Sequence, residues 1–258
     1  MPTSPLDASW LTEALVGTGR LWSQVRVVNE TGSTNSDVLA SARAGAPQGL
    51  VVVAETQLSG RGRQGRSWVS QPGAALTFSA LLRPAMVAPA VRGWLPLLAG
   101  VATATAVRSL TGAPASLKWP NDVLVGELKL AGILAEQADD AVVVGVGLNV
   151  LDAPLPTATS LALLGAQGVD RSKLLAAILE ELGRWYERWT QAGDAQACGL
   201  RAEYLRLCQT IGRAVRVALP GGKTLEGTAV DVDGTGQLVV EVAGRRTPVS
   251  AGDVVHVR

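Results

Sequence analysis

The sequence predicts an α+β protein: a large domain of mixed strands and helices over residues 1–210, then a small β-barrel over 211–258. Three observations carry that reading. The runs Leu50 to Ala54 and Ala74 to Leu82 are apolar, the second broken only by Thr77 and Ser79, and have the length of buried strands. Asp170 to Trp189 repeats apolar residues at helical spacing. After Gln209 the texture changes to short period-two runs separated by turn residues.

Composition limits what the chain can be. At 258 residues there is room for one large core and a small module, and 47% hydrophobic against 17% charged residues is a globular balance, not a disordered one. Twenty-three Lys and Arg against 22 Asp and Glu leave +1, so no global field recruits nucleic acid or an anionic membrane; positive charge that matters must be local. Cys198 and Cys208 are the only cysteines, without zinc-type spacing, which argues against a disulfide scaffold. Met1 to Asp7 lacks a signal-peptide pattern, and no apolar run reaches the ~20 residues of a membrane span. The expected setting is cytoplasmic.

Taken in order, Asp7 to Val16 reads as a short helix capped by Asp7, with Trp10, Leu11 and Leu15 on one face. Val25 to Val28 is a candidate strand. Thr34 and Asp37 then have capping-box spacing for a helix through Ala42, which explains the Ser/Thr/Asn cluster without a ligand. The same helix N-terminus also offers donors to one. Gly93 to Leu110 reads as a buried helix. Leu117 to Val125 and Leu128 to Glu136 form a hairpin about Gly126-Glu127, and Ala141 to Val150 adds a strand. Leu174, Leu175, Ile178, Leu179, Leu182, Trp185, Tyr186 and Trp189 make the stripe of the long helix, with Asp170 or Ser172 as cap. A second helix is expected over Ala195 to Leu207. Ala214 to Leu219, Thr224 to Val230, Leu238 to Val242 and Val254 to Val257 are the barrel strands, separated by Pro-Gly-Gly and Asp-Gly-Thr-Gly turns, with the boundary near Thr210.

Between the first two buried strands lies Gln57 to Trp68, where glycines at 60, 62 and 65 alternate with arginines at 61, 63 and 66. Glycine lets the backbone approach a ligand, and N–H groups and guanidinium forks both favour anionic oxygen. A solvated Gly/Arg loop is the alternative. The segment's shortness, and its passage from a strand into Trp68 and another strand, favour a folded anion-binding loop.

Two lysines sit in apolar company: Lys118 before Trp119-Pro120, and Lys129 within a strand of Leu, Ala, Gly and Ile. Snorkelling to solvent is the ordinary explanation. With Asn121 and Asp122 beside them, the same lysines suit phosphate oxygens, with a carboxylate positioning Mg²⁺, at a site that handles ATP. Standard nucleotide motifs are missing. Gly221-Gly-Lys-Thr has only the tail of a P-loop, and Gly145-Val-Gly-Leu-Asn lacks the third glycine of a dinucleotide fingerprint.

Taken together, Ser33-Thr-Asn35, Gln57 with Gly60 to Arg66, Lys118-Trp-Pro-Asn-Asp122, Lys129-Leu-Ala-Gly-Ile-Leu-Ala-Glu136 and Gly145-Val-Gly-Leu-Asn149 resemble the biotin protein ligases in order and interval, over essentially the whole chain. The resemblance implies a catalytic domain related to class II aminoacyl-tRNA synthetases and an SH3-like C-terminal domain. It implies activation of biotin by MgATP to biotinyl-5′-AMP, then transfer to a lysine of a biotin carboxyl carrier domain, with no permanently bound cofactor. By the same matching, Ser33, Thr34, Asn35, Gln57, Gly60 and Arg61 would bind the ureido end of biotin, with Gly132 and Leu134 lining its pocket. Lys129 would lie between carboxylate and α-phosphate. Arg63, Arg66 and Lys118 would serve the phosphates, Asp122 would hold Mg²⁺ or orient a cation, Trp68 would stack on adenine, and Asn121 and Asn149 would reach the adenylate.

Bifunctional members of the family carry a DNA-binding winged helix ahead of these motifs. Only about thirty residues precede Ser33 here, too few for that module, so a ligase-only protein without DNA binding is expected. A homodimer through the sheet is a candidate assembly. Two rivals stand beside this reading: a lipoate or octanoate ligase of the related fold, and a non-enzymatic nucleic-acid adaptor using the arginine loop.

Overall fold

The structure, a computed structural model, describes residues 4–219, 223–250 and 252–257. Its centre is a mixed seven-stranded sheet made of β1 (Gln24–Thr31), β2 (Leu50–Gln57), β5 (Ala75–Leu82), β6 (Ser116–Lys118), β7 (Asp122–Val125), β8 (Leu128–Ala138) and β9 (Ala141–Asn149), in the spatial order β1-β2-β5-β9-β8-β7-β6. Only β1 and β2 run parallel; the other neighbours are antiparallel.

Strand parity sorts the two faces. In β2, Val51 and Val53 join the main core with helices α3 (Trp94–Thr111) and α4 (Arg171–Ala192), while Leu50 and Val52 pack against α2 (Thr34–Arg43). Successive strand residues point to opposite faces, so α2 covers one side and the long helices the other. Gly100 of α3 sits against Leu117 and Ile133, where a side chain would crowd both. On its own face α2 packs on β2, β5, β8 and β9. Beyond its N-terminus, toward β7 and β8, the sheet stays open, and the cavity described below occupies that space.

The remaining elements frame this sheet. Helix α1 (Ala8–Leu15) is capped by Asp7, whose carboxylate accepts from the Trp10 N–H at 2.9 Å. Strands β3 (Gly60–Arg61) and β4 (Ser67–Trp68) pair as a small hairpin over the sheet. Helix α5 (Leu200–Leu207) precedes β10 (Ala214–Ala218), β11 (Thr224–Val232), β12 (Leu238–Val242), β13 (Arg245–Val249) and β14 (Asp253–His256), which form an antiparallel sheet in the order β13-β12-β11-β10-β14. Two buried tryptophans, at the start of α3 and in the β6–β7 turn, seat this small sheet on the large domain: the indole N–H groups of Trp94 and Trp119 donate to the carbonyls of Gly234 and Gly236, both at 3.0 Å. Among the described residues, no helix is long and apolar enough to cross a membrane.

Several expectations need correction. The helix expected from Ala195 begins only at Leu200, because Gly199 takes φ +82° and turns the chain just before it. Leu117 to Val125 is two strands, not one, folded back at Trp119–Asn121 so that Lys118 pairs with Asp122. The sequence allows four or five barrel strands but does not place β13, since Arg245-Arg-Thr-Pro-Val has no apolar alternation. The capping box does not form: Ser33 is the N-cap residue, without a side-chain cap bond, and Asp37 instead accepts from Thr31 Oγ1 at 2.7 Å. The Pro-Gly-Gly turn lies outside the described residues.

Candidate active site

A cavity of about 780 Å³ opens on the α2 face of the large sheet. Every residue singled out from the sequence lines it except Gly60, which is buried beneath Trp68 in the β3–β4 pair. Its floor follows from register. Thr77 of β5, Gly147 of β9, Gly132 of β8 and Asp122 of β7 form one row, and Ser79, Gly145 and Leu134 form the next. The two β9 glycines of Gly145-Val-Gly147 are therefore floor positions. A Cβ on Gly145 would overlap Asn35 Oδ1, and one on Gly147 would overlap the Trp68 indole. Their missing side chains make the space that these residues occupy.

Lys129 reaches the site through a bulge. Val123 faces Ala131 and Leu124 faces Lys129, so Leu130 is an extra residue in β8. Without it, Lys129 would share the core face of Ala131 and Ile133; with it, Lys129 joins the cavity face of Gly132 and Leu134 while Leu130 is fully buried. Its Nζ lies 2.7 Å from Asp122 Oδ1. The pair fixes the ammonium beside the open space, which is not the geometry of a snorkelling surface lysine.

The other end of the cavity is a ring of neutral polar groups around the N-terminus of α2. Gln57 Oε1 accepts from the Thr34 N–H at 2.8 Å. Thr34 Oγ1 lies 3.1 Å from the same oxygen and 2.7 Å from Ser79 Oγ, which donates to Asn35 Oδ1 at 2.6 Å. Two hydroxyl protons serve three oxygen–oxygen contacts, and the longest, to Gln57, is the natural one to go without. Asn35 Nδ2 donates to Glu136 Oε2 at 2.8 Å and to the Leu134 carbonyl at 3.3 Å. Both hydrogens of its amide are thus committed to protein, and Asn35 braces the ring as much as it faces the cavity. Ser33, Thr34 and Asn35 are all nearly inaccessible to solvent.

Ser79 and Glu136 belong to this network, and sequence reasoning assigned neither a role. Ser79 sits in a strand buried along its whole length, where one serine carries no pattern. The signal available for it was the cost of burying a hydroxyl without a partner.

The glycine–arginine segment is folded although Arg61, Gln64, Gly65, Arg66 and Ser67 are exposed, and each arginine is tied to a different element. Arg61 pairs with Glu136 of β8, and Arg66 with Asp253 of β14. Arg63 donates to Asn121 Oδ1 at 3.0 Å and to the Gly252 carbonyl at 3.4 Å. Asn121 is itself anchored by donating to the Ile133 carbonyl at 3.0 Å. Burial lowers the pKa of Arg63, with neighbouring Arg66 adding to the effect while Asp253 and Asp122 oppose it. The last strand thus supplies part of the cavity wall through Asp253, Val254 and Val255, a contribution the sequence did not reveal.

The remaining candidates divide. Trp68 lies against Gly147 and Gly132, with a buried indole N–H that has no hydrogen-bond partner among the described residues. Lys118 lines the cavity beside Trp119. Asn149 donates to the Thr159 carbonyl at 3.0 Å, so its amide nitrogen braces the following loop. No group of three His, Cys, Asp or Glu side chains among the described residues could cage a metal. Asp122 does present a carboxylate to the cavity. Magnesium is commonly held by one or two carboxylates together with substrate phosphates, so this donor set fits an ion that arrives with a nucleotide.

Chemically, one end of the cavity suits a neutral polar ring and the other an assembly of anions. Comparisons with known proteins identify the family. Residues 27–149 match the biotin/lipoate A/B protein ligase family, and residues 210–257 match the biotin protein ligase C-terminal domain. The chain is 46% identical to the biotin–[acetyl-CoA-carboxylase] ligase of Mycobacterium tuberculosis, over 98% of this chain and 97% of that protein. It is 33% identical to a bifunctional ligase/repressor of Bacillus subtilis, over 81% of this chain and 66% of the relative. Among solved structures, the Aquifex aeolicus biotin protein ligase in complex with biotin and ATP superposes with a TM-score of 0.79 at 26% identity, covering 92% of this chain and all of that one.

Proposed function

The chain belongs to the biotin protein ligase family, and from that premise we propose that it uses ATP to convert biotin to biotinyl-5′-AMP and then biotinylates a lysine of a carboxylase's carrier domain. The observation that carries the reading is a single cavity in which a neutral polar ring at Ser33, Thr34, Asn35 and Gln57 leads to cations at Lys129, Lys118, Arg63 and Arg66. A ureido ring needs matched donors and acceptors, or binding strands buried polar groups. A carboxylate approaching a polyphosphate needs positive charge already in place.

In the first half-reaction, a biotin carboxylate oxygen forms a bond to the α-phosphorus while the bond to the β-phosphate oxygen breaks and pyrophosphate leaves. Lys129, held by Asp122 at the middle of the cavity, neutralises charge shared between carboxylate and α-phosphate. Arg63 and Arg66 meet the phosphates from the loop, and Lys118 from the hairpin. Magnesium bound to the nucleotide, with Asp122 as its protein ligand, would withdraw charge from the phosphate oxygens. Trp68 offers an indole face to adenine. In the second half-reaction, the carrier lysine attacks the biotinyl carbonyl, AMP departs with the electron pair of the anhydride bond, and the amine loses a proton. Closure of the arginine loop over the adenylate keeps water out until then.

The division into a catalytic part over 1–210 and a smaller domain over 211–258 belongs to the same proposal, as does a cytoplasmic setting where carboxylase subunits are met. Two measurements test the reading together: pyrophosphate release with biotin, lipoate or octanoate as the acid, and the mass of a purified carrier domain after incubation. Biotin-selective release and a gain of one biotin are expected. Equal release with lipoate or octanoate would favour a different acyl ligase, and salt-sensitive nucleic-acid binding without release would favour an adaptor.

A further inference from the structure

Of the three loop arginines, Arg61 makes the contact that leads back into the polar ring. Its partner Glu136 uses one carboxylate oxygen for Arg61 and the other for Asn35 Nδ2. From there the chain of contacts continues through Asn35 Oδ1 and Ser79 Oγ to Thr34, whose backbone N–H donates to Gln57. Glu136 thus joins a loop arginine to the ring, while Gln57, at the ring's other end, lies against the loop only at Gly60. Strand parity puts it there: on β8, Gly132, Leu134 and Glu136 share the cavity face, and Glu136 follows Leu134 just past the cavity lining.

We infer that Glu136 is a positioning residue that makes occupancy of the polar end of the cavity felt by the loop, so that biotin bound against Asn35 and Thr34 steadies Arg61 and hence the lid. The inference rests on the ligase reading and extends it to a residue that does not line the cavity. An isolated ion pair between half-exposed side chains contributes little and would leave catalysis unmoved. A carboxylate whose two oxygens serve two functional elements is a different object. Removing it frees the loop and also leaves a donor of the nearly inaccessible Asn35 with one partner fewer. It lies beside the first turn of α2, whose partial positive charge favours an anion at that place.

The test uses full-length parent, Glu136→Ala, Glu136→Gln, Arg61→Ala and the Glu136→Ala/Arg61→Ala double variant, with pyrophosphate release followed against biotin and against ATP. In Glu136→Ala the KM for biotin should rise about tenfold while the KM for ATP stays within about twofold, a split that a general loss of structure would not give. Glu136→Gln, near-isosteric and able to accept from only one of the two donors at a time, should fall between parent and Ala and guards against a folding failure. The double variant should lose no more than the worse single one, because both act along one connection. Trypsin cleavage after the loop arginines should be slowed by biotin in the parent and not in Glu136→Ala. Parental biotin KM in both Glu136 variants, equal loss for biotin and ATP, or losses that simply add would each overturn the inference. A parent that releases no pyrophosphate with biotin would instead overturn the ligase reading beneath it.

Discussion

Arg66 of the glycine–arginine loop pairs with Asp253 of the last strand, 187 positions away in sequence, and so joins the C-terminal sheet to the cavity. The pair is exposed, with 60% and 39% of the two side chains accessible, so its worth to stability is under about 1 kcal/mol. Its larger consequence is competition. A carboxylate holding Arg66 must be displaced if the guanidinium is to meet a phosphate. Asp253→Asn should therefore lower the KM for ATP several-fold, with the melting temperature and the KM for biotin nearly unmoved. Steady-state pyrophosphate release measures all but the melting temperature; a raised KM for ATP would mean that Asp253 assists nucleotide binding.

The two floor glycines offer a test of which part of the cavity serves which ligand. Alanine at 145 would displace Asn35, and alanine at 147 would displace the Trp68 indole. Gly145→Ala should weaken biotin binding by at least about tenfold, the scale of one lost buried hydrogen bond, while sparing ATP. Gly147→Ala should do the reverse. Calorimetric titration of each variant with each ligand tests this crossed pattern.

Arg63 reaches Asn121 and the Gly252 carbonyl and so fastens the loop across the cavity. Arg63→Gly removes both contacts and makes the loop more flexible, while Lys129 stays in place. Adenylate should still form but escape, biotinylating bystander proteins. Trapping released biotinyl-5′-AMP by mass spectrometry checks it, and retention equal to the parent's would count against the lid.

His256, the only histidine, lies at the seam between the two sheets. Arg213 can only donate to Nδ1, at 3.1 Å, so in the neutral ring Nε2 carries the hydrogen and donates to Thr210 Oγ1 at 3.2 Å. Thr210 Oγ1 also accepts from the Trp119 N–H. Burial, Lys118 and Arg213 lower the pKa of His256 below its ordinary 6.5, and Glu127 opposes them. Below pH 6.5 the unfolded chain binds a proton that the folded chain resists, so stability falls with pH until the folded group itself protonates. Between pH 7 and 5.5, the parent's melting temperature should drop more than that of His256→Gln; parallel curves would contradict this.

How much of this was legible beforehand varies with the range of the interaction. The long helix announced itself, because Asp170 caps it by accepting from the N–H groups of Ser172 and Lys173, and its stripe is buried as spaced. The arginine loop and the two lysines were legible because their types are unusual in their settings, arginines among glycines and lysines among leucines; the neutral polar ring was named only through the family resemblance. What the sequence hid was relational. The bulge at Leu130 that turns Lys129 into the cavity depends on pairing with β7, and the Asp253 contact depends on where the last strand docks. Asp37 shows the converse error. Its spacing from Thr34 matched a capping box, but the helix is entered one residue earlier, at Ser33, and the Asp37 carboxylate accepts from the Thr31 hydroxyl instead.

The central claim is that fixed positive charge at Lys129 lets a biotin carboxylate meet the α-phosphate. It is tested most directly by biotin-dependent pyrophosphate release from the parent and from folded Lys129→Ala at saturating ATP. Release from the parent is expected, with a loss of about a hundredfold or more in the variant, the scale for removing one preorganised electrostatic group. Near-parental release from Lys129→Ala would contradict it.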